Sequence, residues 1–296
     1  MINFKLFLKG AAMGAANVIP GVSGGTVAFI TGIYERLIHA LKNIDFEALR
    51  LFFTCRFREF ASKVDFHFLV VLFLGVFVSI LSLAKLLEIA FSRYENLTLS
   101  FFFGLIIASV LAVSRQISRV SLPVILFFIL GSAIAIGIAF LPPAQPNESF
   151  IYLVVCGVVA VCSMILPGLS GSYILLLMGN YLLVLKAISS LDLGILAPLA
   201  IGCVVGLVVL SHLLSFLFSK FKDATVAVLS GFVAGSLLII WPWKTTLTEI
   251  FAGEEKAIGY VWNFPEPNMQ FLYSCMFIIF GFLLVFWMEQ KSSTDK

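Results

Sequence analysis

Three stretches of this chain, Phe66–Ala84, Ile125–Leu141 and Phe271–Trp287, contain no Asp, Glu, Lys or Arg at all. The hydrocarbon core of a bilayer is about 30 Å thick and takes roughly 20 apolar residues to cross as a helix. Runs of this length and purity leave few folds open. The composition agrees: 61% of the 296 residues are hydrophobic and 12% are charged, against about a quarter charged in soluble domains. The expected class is an all-α polytopic membrane protein. A net charge of +3 does not point to nucleic acid, and no nucleic-acid partner is expected. Five cysteines lack any CxxC spacing, and all but Cys55 lie in apolar runs; they read as small buried hydrophobes, so neither a metal nor a cofactor is implied. The N-terminus loosely imitates a signal peptide but is read as retained, because its apolar pattern recurs later in the chain.

Two further apolar stretches are interrupted. Pro20, Gly21, Gly24 and Gly25 break "ANVIPGVSGGTVAFITG", and Pro167, Gly168 and Gly171 break "MILPGLSGSYILLLMG". Sliding the chain by 147 positions lays residues 19–41 on 166–188, pairing Pro20 with Pro167, Gly21 with Gly168, Ser23 with Ser170 and Gly24 with Gly171. With an offset of 127, residues 75–95 fall on 202–222. A polar insert in the first half accounts for the difference, and its Phe46, Leu49, Phe53, Phe57 and Phe60 share one face, as in an interfacial helix over 44–62.

The distribution of Lys and Arg orients the spans. The first repeat, 1–145, is expected to hold a re-entrant hairpin over 5–38 and crossings over 66–91, 98–114 and 121–141. The second, 146–296, holds a hairpin over 150–186 and crossings over 194–219, 225–241 and 270–288. This arrangement places 14 Lys and Arg on the side of both termini and leaves Arg93, Lys186, Lys244 and Lys256 opposite, with Lys85 within the membrane. By the positive-inside rule both termini are cytoplasmic. Three crossings per half invert the halves relative to one another. Trp241, Trp243 and Trp262 then anchor the outer interface and Trp287 the inner one.

Backbone that is not helical survives at membrane depth only inside protein or beside a watery cavity. A half-helix that starts near the midplane presents unpaired N–H groups and the positive end of its dipole, the elements of an anion site. Ser23, Gly24, Gly25 and Thr26 open one such half-helix; Ser170, Gly171 and Ser172 open the other. The competing reading is tight helix packing through small residues. Ionisable groups within spans are functional candidates by default. Lys85 and Glu88 lie one turn apart, and His212 occupies the position equivalent to Lys85 in the second half; Lys85 is also close enough to the outer end to snorkel. Glu35 and Arg36 end the first hairpin as a surface pair or a coupling relay. Asn17, before the break, serves either the freed backbone or a ligand.

The blocks "GAANVIPGVSGGTVAFITGIYERLI", "MILPGLSGSYILLLMGNY" and "GSLLIIWPW" resemble those of the PopT family of bacterial polyprenyl-phosphate transporters, over nearly the whole chain. The resemblance implies undecaprenyl phosphate as the partner lipid, returned from the outer to the inner leaflet of the bacterial cytoplasmic membrane for cell-wall synthesis. Motif positions carried over are Asn17, Pro20, Gly21, Ser23, Gly24, Thr26, Pro167, Gly168, Ser170, Gly171 and Ser172. The implied mechanism is alternating access, with the phosphate at the half-helix N-termini and Lys85 assisting its capture. Two other readings stay open. One is an ion-coupled transporter of a small soluble anion. The other is an intramembrane undecaprenyl-pyrophosphate phosphatase, whose Pro-Gly-x-Ser-Arg-Ser-type loop would need an arginine that is absent after Ser23 and Ser170. Oligomeric state is not readable.

Overall fold

The computed structural model describes residues 4–18, 23–251 and 254–294, with side chains throughout these except at 18, 83–85, 87–88, 246–260 and 287–294. Helix α1 (Phe4–Val18) leads into the first break, followed by the short α2 (Gly24–Ile30) and α3 (Tyr34–Lys42). Helices α8 (Phe150–Ile165), α9 (Gly171–Leu177) and α10 (Tyr181–Ser190) repeat that order. In each copy a glycine with positive φ, Gly32 at 69° and Gly179 at 76°, turns the chain between the last two helices, a backbone region that costs other residues about 1–2 kcal/mol. The α9–α10 pair bends by 112°.

The insert expected as one interfacial helix over 44–62 is instead two, α4 (Phe46–Phe53) and α5 (Phe57–Lys63). Cys55 between them is left-handed, with φ 56°, so the helix cannot continue through it. Asp45 caps α4 by accepting the Ala48 N–H at 2.8 Å. The Phe52 ring gathers Phe53, Phe57 and Phe60 edge-on, while Phe46, Leu49 and Phe53 remain exposed.

Helix α6 (Phe66–Ser114) is 49 residues long, with non-helical backbone at Tyr94. Straight, it would extend about 75 Å. It doubles back instead: the Phe91 and Phe102 rings stack with centroids 6.4 Å apart, where a straight helix would separate them by about 16 Å. The Thr98 hydroxyl donates to the carbonyls of both Ala90 and Tyr94. There follow α7 (Leu122–Ala139), α11 (Leu193–Lys220), α12 (Lys222–Ser236) and α13 (Met269–Thr294). Large apolar side chains on the outward faces, such as Phe73 and Phe77 on α6, Leu126 and Ile129 on α7, Val204 and Val209 on α11, and Met276 and Phe280 on α13, are exposed, as lipid-facing surfaces require. Ile89–Ser114, Leu122–Ala139, Leu193–Lys220 and Met269–Phe286 are long and apolar enough to cross a membrane.

One element was not anticipated. Strands β1 (Lys244–Phe251) and β2 (Glu254–Trp262) form an antiparallel hairpin with an irregularity between Leu247 and Thr248. The Trp262 indole ties it down by donating to the Leu238 carbonyl at 2.8 Å. The β-branched positions Thr245, Thr246, Thr248 and Ile250 are the sequence signal for it.

Glycines set the tightest crossings. An added Cβ would lie 2.1 Å from the Leu72 carbonyl oxygen at Gly10 and 2.3 Å from the Phe7 oxygen at Gly75, where α1 crosses α6. Gly157 and Gly202 would meet the Leu199 and Val154 oxygens at 2.1 and 2.0 Å, where α8 crosses α11. The second pair stands at the same offsets, 147 and 127, from the first. Likewise Gly104 abuts Ile278 of α13 and Gly281 abuts Phe101 of α6, while Gly131 abuts Val228 of α12 and Gly231 abuts Phe128 of α7. Such backbone-to-backbone approach is how helices without a hydrophobic drive between them gain contact in lipid.

Candidate functional site

The two broken segments meet. Ser23 is extended, with φ −113° and ψ 140°, and its hydroxyl oxygen accepts the Gly25 N–H at 3.1 Å. The same hydroxyl donates to the Met164 carbonyl, 3.2 Å away in the other hairpin. Asn17 Oδ1 accepts the Gly24 N–H at 2.7 Å. The Thr26 hydroxyl oxygen accepts the Gly168 N–H at 2.8 Å, and the Tyr34 hydroxyl donates to the Ile165 carbonyl at 3.1 Å. A Cβ at Gly25 would stand 2.6 Å from the Ile165 oxygen. The first half-helix is therefore capped by its own hairpin and pressed against the break of the second. Ser23 and Thr26 are only 3% and 1% exposed.

The second break is built differently. Helix α8 stops at Ile165 because Leu166 is extended, as a residue before proline prefers. Gly168 has φ 85°, and a Cβ there would lie 2.5 Å from the Phe232 oxygen of α12. Ser170 is extended at the start of α9, and its side chain caps no backbone N–H of that helix. Its hydroxyl instead pairs with that of Ser172 at 2.9 Å. Ser172 is exposed and Ser170 partly so, while Gly171 is buried. The position equivalent to Asn17 is Met164, whose thioether carries no acceptor comparable to an amide oxygen. The two hydroxyls thus present an open polar edge beside a largely exposed Met164.

Other expected residues lie elsewhere. Glu35 pairs with Lys222 at 2.9 Å. Arg36 holds Asp65 with two hydrogen bonds, at 2.7 and 3.1 Å, and lies over the Phe68 ring. His212 sits on an exposed stripe of α11 with Val209 and Phe216, its Nδ1 2.8 Å from the Val208 carbonyl. Pro20 and Gly21 lie outside the described residues, as do the side chains of Lys85, Glu88 and Trp287, whose backbones belong to α6 and α13. Among the described residues, no three His, Cys, Asp or Glu gather as a metal site. A cavity of about 490 Å³, lined by Arg93, Tyr94, Asn96, Gln270 and Tyr273 among others, opens at the α6 bend rather than at the breaks.

Sequence reasoning missed Tyr34 and the carbonyls of Met164 and Ile165. Tyr34 carried a signal, being paired with Tyr181 in the repeat; the carbonyls carried none.

The family model described as VCA0040-like, undecaprenyl phosphate translocase-like, matches residues 13–257. The chain belongs to this family. It is 44% identical to a polyprenyl-phosphate transporter of Vibrio cholerae over 242 residues, which is 82% of this chain and 79% of that protein. It is 32% identical to a polyprenyl-phosphate transporter of Staphylococcus aureus over 257 residues, covering 81% and 86% respectively. No solved structure matches. The resemblance drawn from the paired Pro-Gly blocks holds, and the blocks around both breaks fall within the matched region.

Proposed function

We propose that this chain carries undecaprenyl phosphate between leaflets of the bacterial cytoplasmic membrane, returning it inward for reuse, and breaks no covalent bond. The observation that carries the reading is the meeting of the two breaks, with the Ser170–Ser172 hydroxyl edge left open beside it. A lipid phosphate needs polar partners only for its headgroup, while its tail stays in hydrocarbon. In this reading the hydroxyls of Ser170 and Ser172 donate to phosphate oxygens, and Asn17, Ser23 and Thr26 brace the break behind them. Glycine at 171 lets the start of α9 press against Ala160 and Met164 of α8.

The two halves act as an inverted repeat, one on residues 1–145 and one on 146–296. The glycine crossings support this, since equivalent glycines make equivalent contacts in both halves. Inverted repeats with broken helices near the midplane are a recurring layout of secondary transporters. The end that gathers Arg36, Asp65, Lys222 and Asp223 is the cytoplasmic one, and the end with Trp241, Trp243 and the β-hairpin is external.

The test is leaflet-resolved movement of labelled polyprenyl phosphate in proteoliposomes. Wild-type protein should move the lipid where empty liposomes do not, and Ser170→Arg should block it. Release of phosphate from lipid pyrophosphate, without lipid movement, would instead favour an enzyme.

A further inference from the structure

The two halves differ in how their hairpins meet the opposite half. Helix α3 packs along α11, and the seam is closed by side chains. The Tyr34 and Phe218 rings meet edge-on at 5.9 Å. Ser215 lies 3.2 Å from Lys42 Nζ and 3.4 Å from His39 Nδ1. Glu35 pairs with Lys222 beyond them. Tyr34, Ile38 and Phe218 are 2%, 0% and 6% exposed.

The same offsets that relate the glycine crossings locate the mirror seam, between α10 and the outgoing arm of α6. Tyr34 corresponds to Tyr181, Ile38 to Leu185, His39 to Lys186 and Phe218 to Phe91, while Ser215 corresponds to Glu88. Among the described residues that seam is not closed. Leu185 is 42% exposed where Ile38 is fully buried. Lys186 is exposed, and Phe91 stacks on Phe102 of its own helix. Among the described residues α10 and α6 share no packing comparable to that of α3 and α11.

We infer that the structure is one of two exchange states, and that in the other α10 closes on α6 through a Lys186–Glu88 ion pair and a Tyr181–Phe91 ring contact. This rests on the transport reading and names its outer gate. The complementarity is the argument. Equivalence under the repeat places a cation of α10 opposite a carboxylate of α6, and a tyrosine opposite a phenylalanine. Closure there while α3 parts from α11 would turn the Ser170–Ser172 edge from the outer leaflet to the inner one. Glu88 is then a gating residue, with no contact to phosphate needed.

The test uses the full chain in proteoliposomes. Lys186→Glu should slow lipid movement at least about fivefold, and adding Glu88→Lys should restore most of it, as coupled pairs do in double-mutant cycles. In a variant without native cysteines, Lys186→Cys with Glu88→Cys should cross-link and arrest transport. His39→Cys with Ser215→Cys should cross-link as well, which also reports correct folding. If the second pair cross-links and the first does not, or if the charge swap fails to rescue while that second pair still links, the outer gate is wrong. That result leaves the transport reading intact wherever wild type moves lipid. If wild type moves none, transport fails, and cross-linking of residues 186 and 88 still decides the seam.

Discussion

The Thr26 hydroxyl receives the N–H of Gly168 across 142 residues of sequence, at 2.8 Å. One hairpin thus satisfies a backbone donor that the break in the other had freed. Both groups are buried, so water cannot stand in for either. Thr26→Val keeps the shape and deletes the acceptor. It should cost about 1–3 kcal/mol, the penalty for a buried unpaired donor. Thr26→Ser should recover most of that. Thermal unfolding of the two variants in one detergent checks it; equal melting temperatures would deny the bond any weight.

Helix α7 carries its own control. A Cβ at Gly131 would stand 2.2 Å from the Val228 oxygen of α12, whereas at Gly137 it would meet nothing within 4 Å. Gly131→Ala must push two backbones apart and should destabilise the protein by about 1–3 kcal/mol, as overpacking does. Gly137→Ala should be neutral or stabilising by up to about 1 kcal/mol, from helix propensity. Matched melting curves would show whether the crossing is as tight as its glycines indicate.

The helical class, the two breaks and their equivalence were legible because each has a one-dimensional cause: apolar length, Pro-Gly interruption, and a repeated Pro-Gly-x-Ser-Gly block. The division of labour between the two breaks was not. Ser23 and Ser170 look alike in sequence, yet Ser23 reaches the Met164 carbonyl while Ser170 reaches Ser172. What separates them is Asn17 standing where the other half has Met164, together with contact between segments far apart in the chain. The left-handed Cys55 and the β-hairpin escaped for a different reason. Helical periodicity hides a single residue of reversed φ, and a lone hairpin among apolar spans contributes a weak period-two signal.

Lys244, at the start of the hairpin, donates to the Ile239 carbonyl. Burial pushes its ammonium down to about 8 from the ordinary 10.5, against the opposing pull of the Glu95 carboxylate. Between those two values the unfolded chain holds a proton that the folded protein has released. Stability should therefore rise with pH from about 8 to 10.5 through this group. Subtracting the melting curve of Lys244→Met from that of wild type at each pH isolates the contribution. A difference that stays flat or falls over the interval would contradict the assignment.

The contrast between the serines yields the prediction that bears most directly on function. Ser23 is buried and bonded on both sides, so Ser23→Ala should lower stability by about 0.5–2 kcal/mol, as loss of a helix cap does. Ser172 is exposed, and its hydroxyl pairs with that of Ser170. Ser172→Ala should change stability by less than about 0.5 kcal/mol, as surface substitutions do. In proteoliposomes the order should invert. Ser172→Ala should slow movement of polyprenyl phosphate by about tenfold or more, the effect of losing one hydrogen bond to a charged group, and Ser170→Ala with Ser172→Ala should slow it further. Ser23→Ala, once folded, should translocate at closer to the wild-type rate. Should the double alanine variant carry lipid normally, the phosphate does not rest on this edge, and the polar contact must be sought on the α6 arm that bears Lys85.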